Sequence, residues 1–591
     1  MISELVYTRP LYLTMYLKRA TITYLIISVG VIFSFGIRAQ TIAIKGGTII
    51  NPDGDILQKH VILIEGSKIS KVGKEGKVRI PADAQIVDAS GKWIIPGLID
   101  AHVHFFQSGG LYTRPDAIDL TSVRDYKDGE LKWIKDNLDR TFARYIKCGV
   151  TSVVDVGGPL FNAKVKKLAS ANHMAPRVIA AGPLLSTISR EALAADDPPI
   201  IKINSIDEAR ALIKKHKEVG LDLIKIWYVV PRGQTAATNF ETVKSWVKES
   251  HKEGFRVAIH AQELETAKAA VRAGADILVH SVDDKEVDDK FIELVRKNKV
   301  ITTTSMVVLE GYAEVFTQQI SLTPQEFSLG DEQVIKTLFD LREIDERKIP
   351  ARVKQLIHME RPLVQNEVVL KNLKKMTEAG LTIAMGTDAG NIGTLHGPSV
   401  FRELQLMKQA GLTPRQIIKS ATLNSAKLMG MENQLGSIKS GKYADLVILD
   451  KNPLEDIMNA SSAYRVIKNG KVFNPAEILK STPESVVAQQ VNAYNARDLE
   501  AFLALYSDDI EIYEFPDNLM IESKDGMIAR YTERFKSPEL HAQILERIVM
   551  GNKVIDKERV TGRNDGKVVN AVVIYEVNEQ GLISKVWFVR E

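Results

Sequence analysis

GLIDAHVHF, residues 97–105, is an apolar run of strand length that ends in two histidines one residue apart, so in extended backbone both imidazoles stand on one side. Seven further runs of the same kind follow: TSVVDVGG (151–158), RVIAAG (177–182), LIKIWYVV (223–230), RVAIHA (256–261), ILVHSV (277–282), VITTTSM (300–306) and TIAMGTDAG (382–390). Amphipathic stretches separate them, and Gly149, Gly220, Gly254, Gly274 and Gly380 stand where a left-handed residue would end a helix before the next run. The alternation predicts repeated βα units and a parallel sheet. Eight strands across residues 96–430 predict a (β/α)8 TIM barrel with insertions in an α/β chain. A doubly wound open sheet has the same local pattern, so the chemistry must choose between them.

Polar residues collect at the C-terminal ends of these runs: His102 and His104 on the first, Lys225 on the fourth, His260 on the fifth, His280 on the sixth and Asp388 on the eighth. Barrel enzymes assemble active sites from several strand ends at that face. One strand histidine is ordinarily a hydrogen-bonded core residue, and one Lys or Asp a surface charge. Six converging together would leave many buried polar groups to satisfy, which divalent cations satisfy directly through nitrogen and oxygen ligands.

Outside this region the pattern changes. IAIKGGTII (42–50), HVILIEGSKISKVG (60–73) and QIVDASGKWII (85–95) are strand-rich, and LGSIKSGKYADLVILDKNP (435–453) with SSAYRVIKNGKVFNP (461–475) repeats the style much later. Neither piece can bury both faces alone, so one β-sandwich is expected from residues 40–95 and 431–476. Leu309 to about Lys375 is charged and helical in pattern and is read as extra helices between strands seven and eight, around the mouth. From about Ser485, VVAQQVNAYNARDLEAFLALY (486–506) precedes the runs DIEIYEF, HAQILERIVMGNKVID, ERVTGR, VVNAVVIYEV and LISKVWFVR, an α+β domain over 482–591.

The 591 residues are 45% hydrophobic and 26% charged, ordinary for globular protein and too long for one small binding module. Residues 1–39 carry Arg9, Lys18, Arg19 and Arg38 against Glu4, which is +3 of the net +4, so the remainder has no basic field to recruit nucleic acid. Lys18 and Arg19, the uncharged run Ala20–Ile37 and the small-residue end at Ala39 read as a signal peptide, with an uncleaved anchor as the alternative. A periplasmic or secreted protein, free of the membrane after cleavage, is expected. The single cysteine, Cys148, excludes an intrachain disulfide and a four-cysteine zinc site.

GLIDAHVHF, Lys225, HAQ with His260, ILVHS with His280 and MGTDAG with Asp388 together resemble the metal-dependent amidohydrolase superfamily over residues 41–475. VAIHAQELETAKAAVRAGADILVHS (257–281), ATLNSAKLMG (421–430) and GSIKSGKYADLVILD (436–450) are similar in style to its imidazolonepropionase-like and Xaa-Pro dipeptidase-like branch. The resemblance implies two divalent ions, zinc foremost: His102, His104 and Asp388 on one, His260 and His280 on the second, and Lys225 bridging them as a carbamate. An unmodified ammonium offers donors only and could not bridge cations. It further implies a metal-activated hydroxide that cleaves a C–N bond in a small peptide, N-acyl amino acid or cyclic amide, with Asp388 shuttling the proton and His280 orienting the carbonyl.

Tyr228, Arg232 and His396 are candidate substrate contacts, Arg232 because guanidinium binds carboxylate bidentately; loop packing is the competing reading for His396. Asp100 and Asp155 are expected to orient ligand imidazoles or to cap helices. AYNARDLEAFLALYSDDIEIYEFP (493–516) and VWFVRE (586–591) resemble the SnoaL-like, steroid isomerase-like family of cone-shaped α+β domains. Asp508, Asp509, Tyr494 and Tyr513 match no motif position there, so a dimerisation or small-ligand module, and hence a homo-oligomer, is expected. Isomerase or hydratase chemistry in the cone, with the barrel accessory, is the alternative function. A scaffold that only binds disagrees with the intact ligand set.

Overall fold

The computed structural model describes residues 41–590 apart from 195 and 358–366; the leader of residues 1–39 lies outside the described residues. Among the described residues no helix is long and apolar enough to cross a membrane.

All eight expected runs form strands, and every pairing among them is parallel. Leu98–Val103, Val150–Asp155 and Arg177–Ala180 make one sheet. Leu223–Trp227, Arg256–His260, Ile277–Val279, Ile301–Thr303 and Ile383–Ala384 belong to a second. Single parallel bridges, Ala181 to Leu223 and Val103 to Ala389, link the two sheets at both ends. The third run goes further than RVIAAG: after Gly182 it continues as Leu184–Ser186, and Ile200–Lys202 adds an edge strand absent from the sequence reading. Ile200–Lys202 is only three residues long, too short for periodicity to mark it.

Helices between the strands follow ordinary capping chemistry. Ile206–Val219 starts at Ser205, whose hydroxyl accepts the Glu208 N–H, buries Ala209, Ile213 and His216, and ends at Gly220 with φ +82°.

The two chain ends do build one pair of sheets. Lys68–Lys74, His60–Glu65, Thr41–Lys45 and Gln85–Asp88 form the first, and in the second Leu446–Leu449 runs antiparallel to Trp93–Pro96. Leu446–Leu449 is buried on both faces: Leu446 and Ile448 pack between the two sheets, while Val447 and Leu449 face the core of the parallel strands. Ile448→Ala is expected to lower stability by about 2 to 5 kcal/mol, because the truncated side chain sits where neither sheet can close; thermal or urea unfolding measures it.

The C-terminal part has helices Pro483–Ala496, Leu499–Leu503 and Lys524–Arg534 against a six-stranded sheet of residues 506–590. Two readings there are corrected. The amphipathic stretch 486–506 breaks at Arg497, φ +58°, into two helices. HAQILERIVMGNKVID is not one strand but the hairpin His541–Met550 and Lys553–Thr561, turning at Gly551 and Asn552. Gly551, φ +61°, adopts the left-handed conformation that a two-residue hairpin loop requires.

The expected extra helices are present as Val307–Thr317, Pro324–Leu329, Glu332–Thr337, Ala351–Leu356 and Glu367–Glu378. They also carry the C-terminal domain. Val334, Ile335 and Leu338 share one apolar cluster with Val486, Val487 and Val491. Arg342 binds Glu539 at 2.8 Å and His541 binds Glu343 at 3.0 Å across the same contact.

Candidate metal centre and active site

Backbone pairing between the first and eighth strands brings the ligands together. Asp388 N–H donates to His102 O at 2.7 Å, and His104 N–H to Ala389 O at 2.8 Å. The strands approach this closely because residue 386 is glycine; a Cβ there would lie 2.7 Å from His102 Cβ. Two site residues hold left-handed backbone, His280 at φ +75° and Asp388 at φ +63°. Non-glycine residues pay roughly 1–3 kcal/mol for such conformations, a cost concentrated at functional sites.

His102 Nε2 and His104 Nε2 each lie 3.0 Å from Asp388 Oδ1 and 3.3 Å from each other, and His280 Nδ1 is 3.7 Å from Asp388 Oδ2. His102, His280 and Asp388 are grouped tightly enough to share one cation. The His280 ring stands 4.7 Å from that of His102 and 4.6 Å from that of His260, so all four imidazoles form one continuous cluster. Lys225 is buried on the strand beside His260, with no hydrogen bond or ion pair among the described residues.

The other ring nitrogens fix the orientation. His104 Nδ1 donates to Gly157 O at 2.7 Å, which leaves its Nε2 lone pair facing the cluster. His102 Nδ1 meets Ser305 Oγ at 3.1 Å. Asp155 lies 4.0 Å from His104 Nδ1 and accepts the N–H groups of Phe105 and Gly157, so it supports that ligand. Asp100 orients the opposite strand: it accepts Thr387 N–H at 3.0 Å and Thr387 Oγ1–H at 2.6 Å.

Burial pushes the imidazole of His102 down to about 4, that of His260 to about 3 and that of His280 well below its ordinary value. Burial opposes ionisation of Asp388, but the surrounding imidazoles outweigh it and hold the carboxyl well below the carboxylate range. Burial also lowers the Lys225 amine to about 7. At neutral pH His102, His260 and His280 are therefore neutral imidazoles beside one carboxylate. His280 Nδ1 and Asp388 Oδ1 are buried without a hydrogen-bond partner, which costs roughly 1–3 kcal/mol each. This donor set fits a divalent cation.

The three candidate substrate contacts are engaged by other groups or exposed. The Tyr228 hydroxyl donates to Ala236 O, and Arg232 is exposed in the following loop. His396 has Nδ1 on the Tyr145 hydroxyl and Nε2 on Gln107 O, both at 2.8 Å, with its ring stacked on Phe105. Loop packing is thus its structural role.

Sequence reasoning missed Arg114, Tyr312 and Asn391. Asn391 Nδ2 holds Asp388 O at 3.0 Å, while its Oδ1 accepts from Arg114 at 2.9 Å and Tyr312 at 3.1 Å. Arg114 spends two more N–H groups on Asp116 and lies within electrostatic reach of Asp388. No local motif marks these positions, two of them in loops and Tyr312 on helix Val307–Thr317. A cavity of about 450 Å³ lies away from these donors, between helix Leu138–Lys147, residues 324–332 and the C-terminal domain.

Comparison with known proteins agrees with this geometry. Residues 487–586 match the SnoaL-like domain. The chain is 25% identical to ochratoxinase of Aspergillus niger over 477 residues, covering 74% of this chain and 87% of that one. It is 25% identical to enamidase of Eubacterium barkeri over 437 residues, covering 72% and 91%. Among solved structures it shares its fold with a Xaa-Pro dipeptidase that has methionine bound in the active site, at 24% identity and a TM-score of 0.55, covering 74% of this chain and 100% of that one. The amidohydrolase family matches residues 93–473, well over half of the sequence, and the chain belongs to that family.

Proposed function

We propose that this protein is a metal-dependent hydrolase of C–N bonds in small peptides, N-acyl amino acids or cyclic amides. The observation that carries the reading is the cluster of His102, His104, His280 and Asp388, in which His280 Nδ1 and Asp388 Oδ1 are buried without a hydrogen-bond partner, beside His260 and a buried Lys225. Ochratoxinase, enamidase and the Xaa-Pro dipeptidase support it as relatives.

In this reading His102, His104 and Asp388 would hold one divalent ion and His260 and His280 a second, with Lys225, once carboxylated, as a further oxygen ligand; zinc is the first candidate. Bound ions would supply Lewis acidity, lowering the pKa of water and polarising the scissile carbonyl. Asp388, ionised at neutral pH, accepts the proton of the attacking water and passes it to the leaving nitrogen. His280 orients the carbonyl. The lowered Lys225 amine is in part unprotonated at neutral pH, as carboxylation requires. Arg114 and Tyr312 are better placed for substrate than Tyr228, Arg232 or His396, whose polar atoms are used elsewhere or exposed.

The proposal also takes the parallel strands as a closed barrel, supported by the bridges at both seams. Residues 40–95 and 431–476 then form the flanking sandwich and 482–591 the cone-shaped domain. The leader read in residues 1–39 supports a periplasmic or secreted location. Val572 and Val589, exposed and directly paired on the outer sheet face, support a homo-oligomer.

The test is a hydrolysis screen of dipeptides, N-acyl amino acids and cyclic amides with chelator-stripped protein and with protein reloaded with zinc or manganese. Turnover is expected only after reloading. Turnover that survives removal of metal overturns the reading.

A further inference from the structure

The linker between the two domains borders a cavity that the hydrolytic centre does not use. Its volume is about 450 Å³, and its walls are helix Leu138–Lys147, residues 324–332, the linker from Leu479, and helices Pro483–Ala496 and Leu499–Leu503. Neither the amidohydrolase match, which ends at residue 473, nor the SnoaL-like match, which begins at 487, contains this space alone. Protein interiors close nearly all gaps larger than a water molecule. Room of roughly 300–1,000 Å³ is instead the size of a small-molecule site.

Much of the wall is apolar, formed by Phe327, Leu329, Val486, Ala493, Ala501 and Leu505. Its charged groups are unevenly satisfied. Arg144 binds Asp331 and Leu329 O, both at 2.9 Å, and Arg140 binds Glu332 at 3.4 Å. Lys147, on the same face of that helix, is half-buried and donates only to Leu479 O, at 3.2 Å. An ammonium carries three donors, so two have no acceptor among the described residues. Leu479 presents its carbonyl from left-handed backbone, φ +48°.

No carboxylate among the described residues lies within electrostatic reach of Lys147, and burial, with Arg144 adding to it, lowers its amine below the ordinary lysine value. Of the acidic residues in the wall, Glu332 serves Arg140, Asp498 accepts the Ala501 N–H at 2.9 Å, and Glu500 is exposed. Lys480, next along the linker, is exposed and makes no ion pair among the described residues. Around Leu479 the cavity is therefore cationic and unneutralised.

We propose that this interdomain cavity is a binding site, separate from the hydrolytic centre, for a monocarboxylate with an apolar chain. Its carboxylate sits at Lys147 near Leu479, and its chain lies against Phe327, Val486 and Leu505. The carboxylate supplies the acceptors that a part-buried ammonium lacks, and the chain removes the facing side chains from water. The site does not depend on which bond the other centre cuts.

Titration calorimetry of the full-length, zinc-loaded protein with octanoate, octanamide and butyrate tests the proposal. Octanoate is expected to bind, with octanamide at least about tenfold weaker for want of charge and butyrate at least about tenfold weaker for want of chain. Lys147→Gln is expected to weaken octanoate by about tenfold or more and to leave octanamide near the parental affinity. Ala501→Trp, which fills the apolar side, is expected to weaken both by about tenfold or more, and both variants should keep the parental zinc content and melting temperature. Absence of octanoate binding, octanoate and octanamide binding alike, or butyrate binding as tightly as octanoate would each overturn the proposal. Octanoate held only by zinc at the hydrolytic centre would appear as parental affinity in whichever of the two variants folds, and that result overturns it too.

Discussion

Asp388→Asn is expected to keep the fold and lower kcat by about 10²- to 10⁴-fold, the range that a positioned acid–base group supplies. The fold should survive because Asn tolerates the left-handed backbone that residue 388 adopts, φ +63°, better than most residues. The backbone contacts made by Asp388 N and O, to His102 O and Asn391 Nδ2, do not involve the carboxylate. What is lost is the negative charge that His102, His104 and His280 surround. The measurement is kcat on a substrate found in the hydrolysis screen, with circular dichroism and metal content as controls. Near-parental kcat in a folded, metal-loaded variant removes Asp388 from proton transfer.

Lys225→Ala is expected to bind one ion per chain where the parent binds two, and to lose turnover by about 10²-fold or more. Metal polarisation contributes several kcal/mol of transition-state stabilisation, and each 1.36 kcal/mol is tenfold in rate. The structure places Lys225 on the strand next to that of His260, within electrostatic reach of His260 and Asp388 without a neutralising ion pair, and burial brings its amine down to about 7. Stripped parental protein should therefore take up its second ion only when bicarbonate is supplied with the metal. Metal analysis by mass spectrometry decides. Two ions in Lys225→Ala, or full activity of the parent with one ion, would eliminate the carbamate bridge.

Much of this centre is legible without coordinates. The two-residue period of a strand places His102 and His104 on one side, and the strand ends carry Lys225, His260, His280 and Asp388. The hydrogen-bonded residues around Asp388 are not legible in the same way. Arg114 and Asn391 come from two separate loops and Tyr312 from helix Val307–Thr317, and they meet only through hydrogen bonds between segments far apart in sequence. Conversely, Tyr228 and His396 are of suitable chemistry and near the right strands, yet their polar atoms are satisfied by Ala236, Tyr145 and Gln107. Proximity in sequence could not reveal those partners. In the C-terminal domain the Gly551–Asn552 turn was visible as a pair of turn residues, but the apolar run across it masked the reversal.

By itself the sequence determined the βα alternation, the strand-rich pieces at both ends of residues 41–475, the separate α+β domain and the His, Lys and Asp residues carried at the strand ends, because each depends on local period or residue chemistry. Only the tertiary structure decided that Leu446–Leu449 is buried on both faces, that the helices of residues 307–378 carry the C-terminal domain, and that a cavity opens between that domain and helix Leu138–Lys147. Those facts depend on which distant surfaces exclude water together, and packing of that kind leaves no periodic trace along the chain.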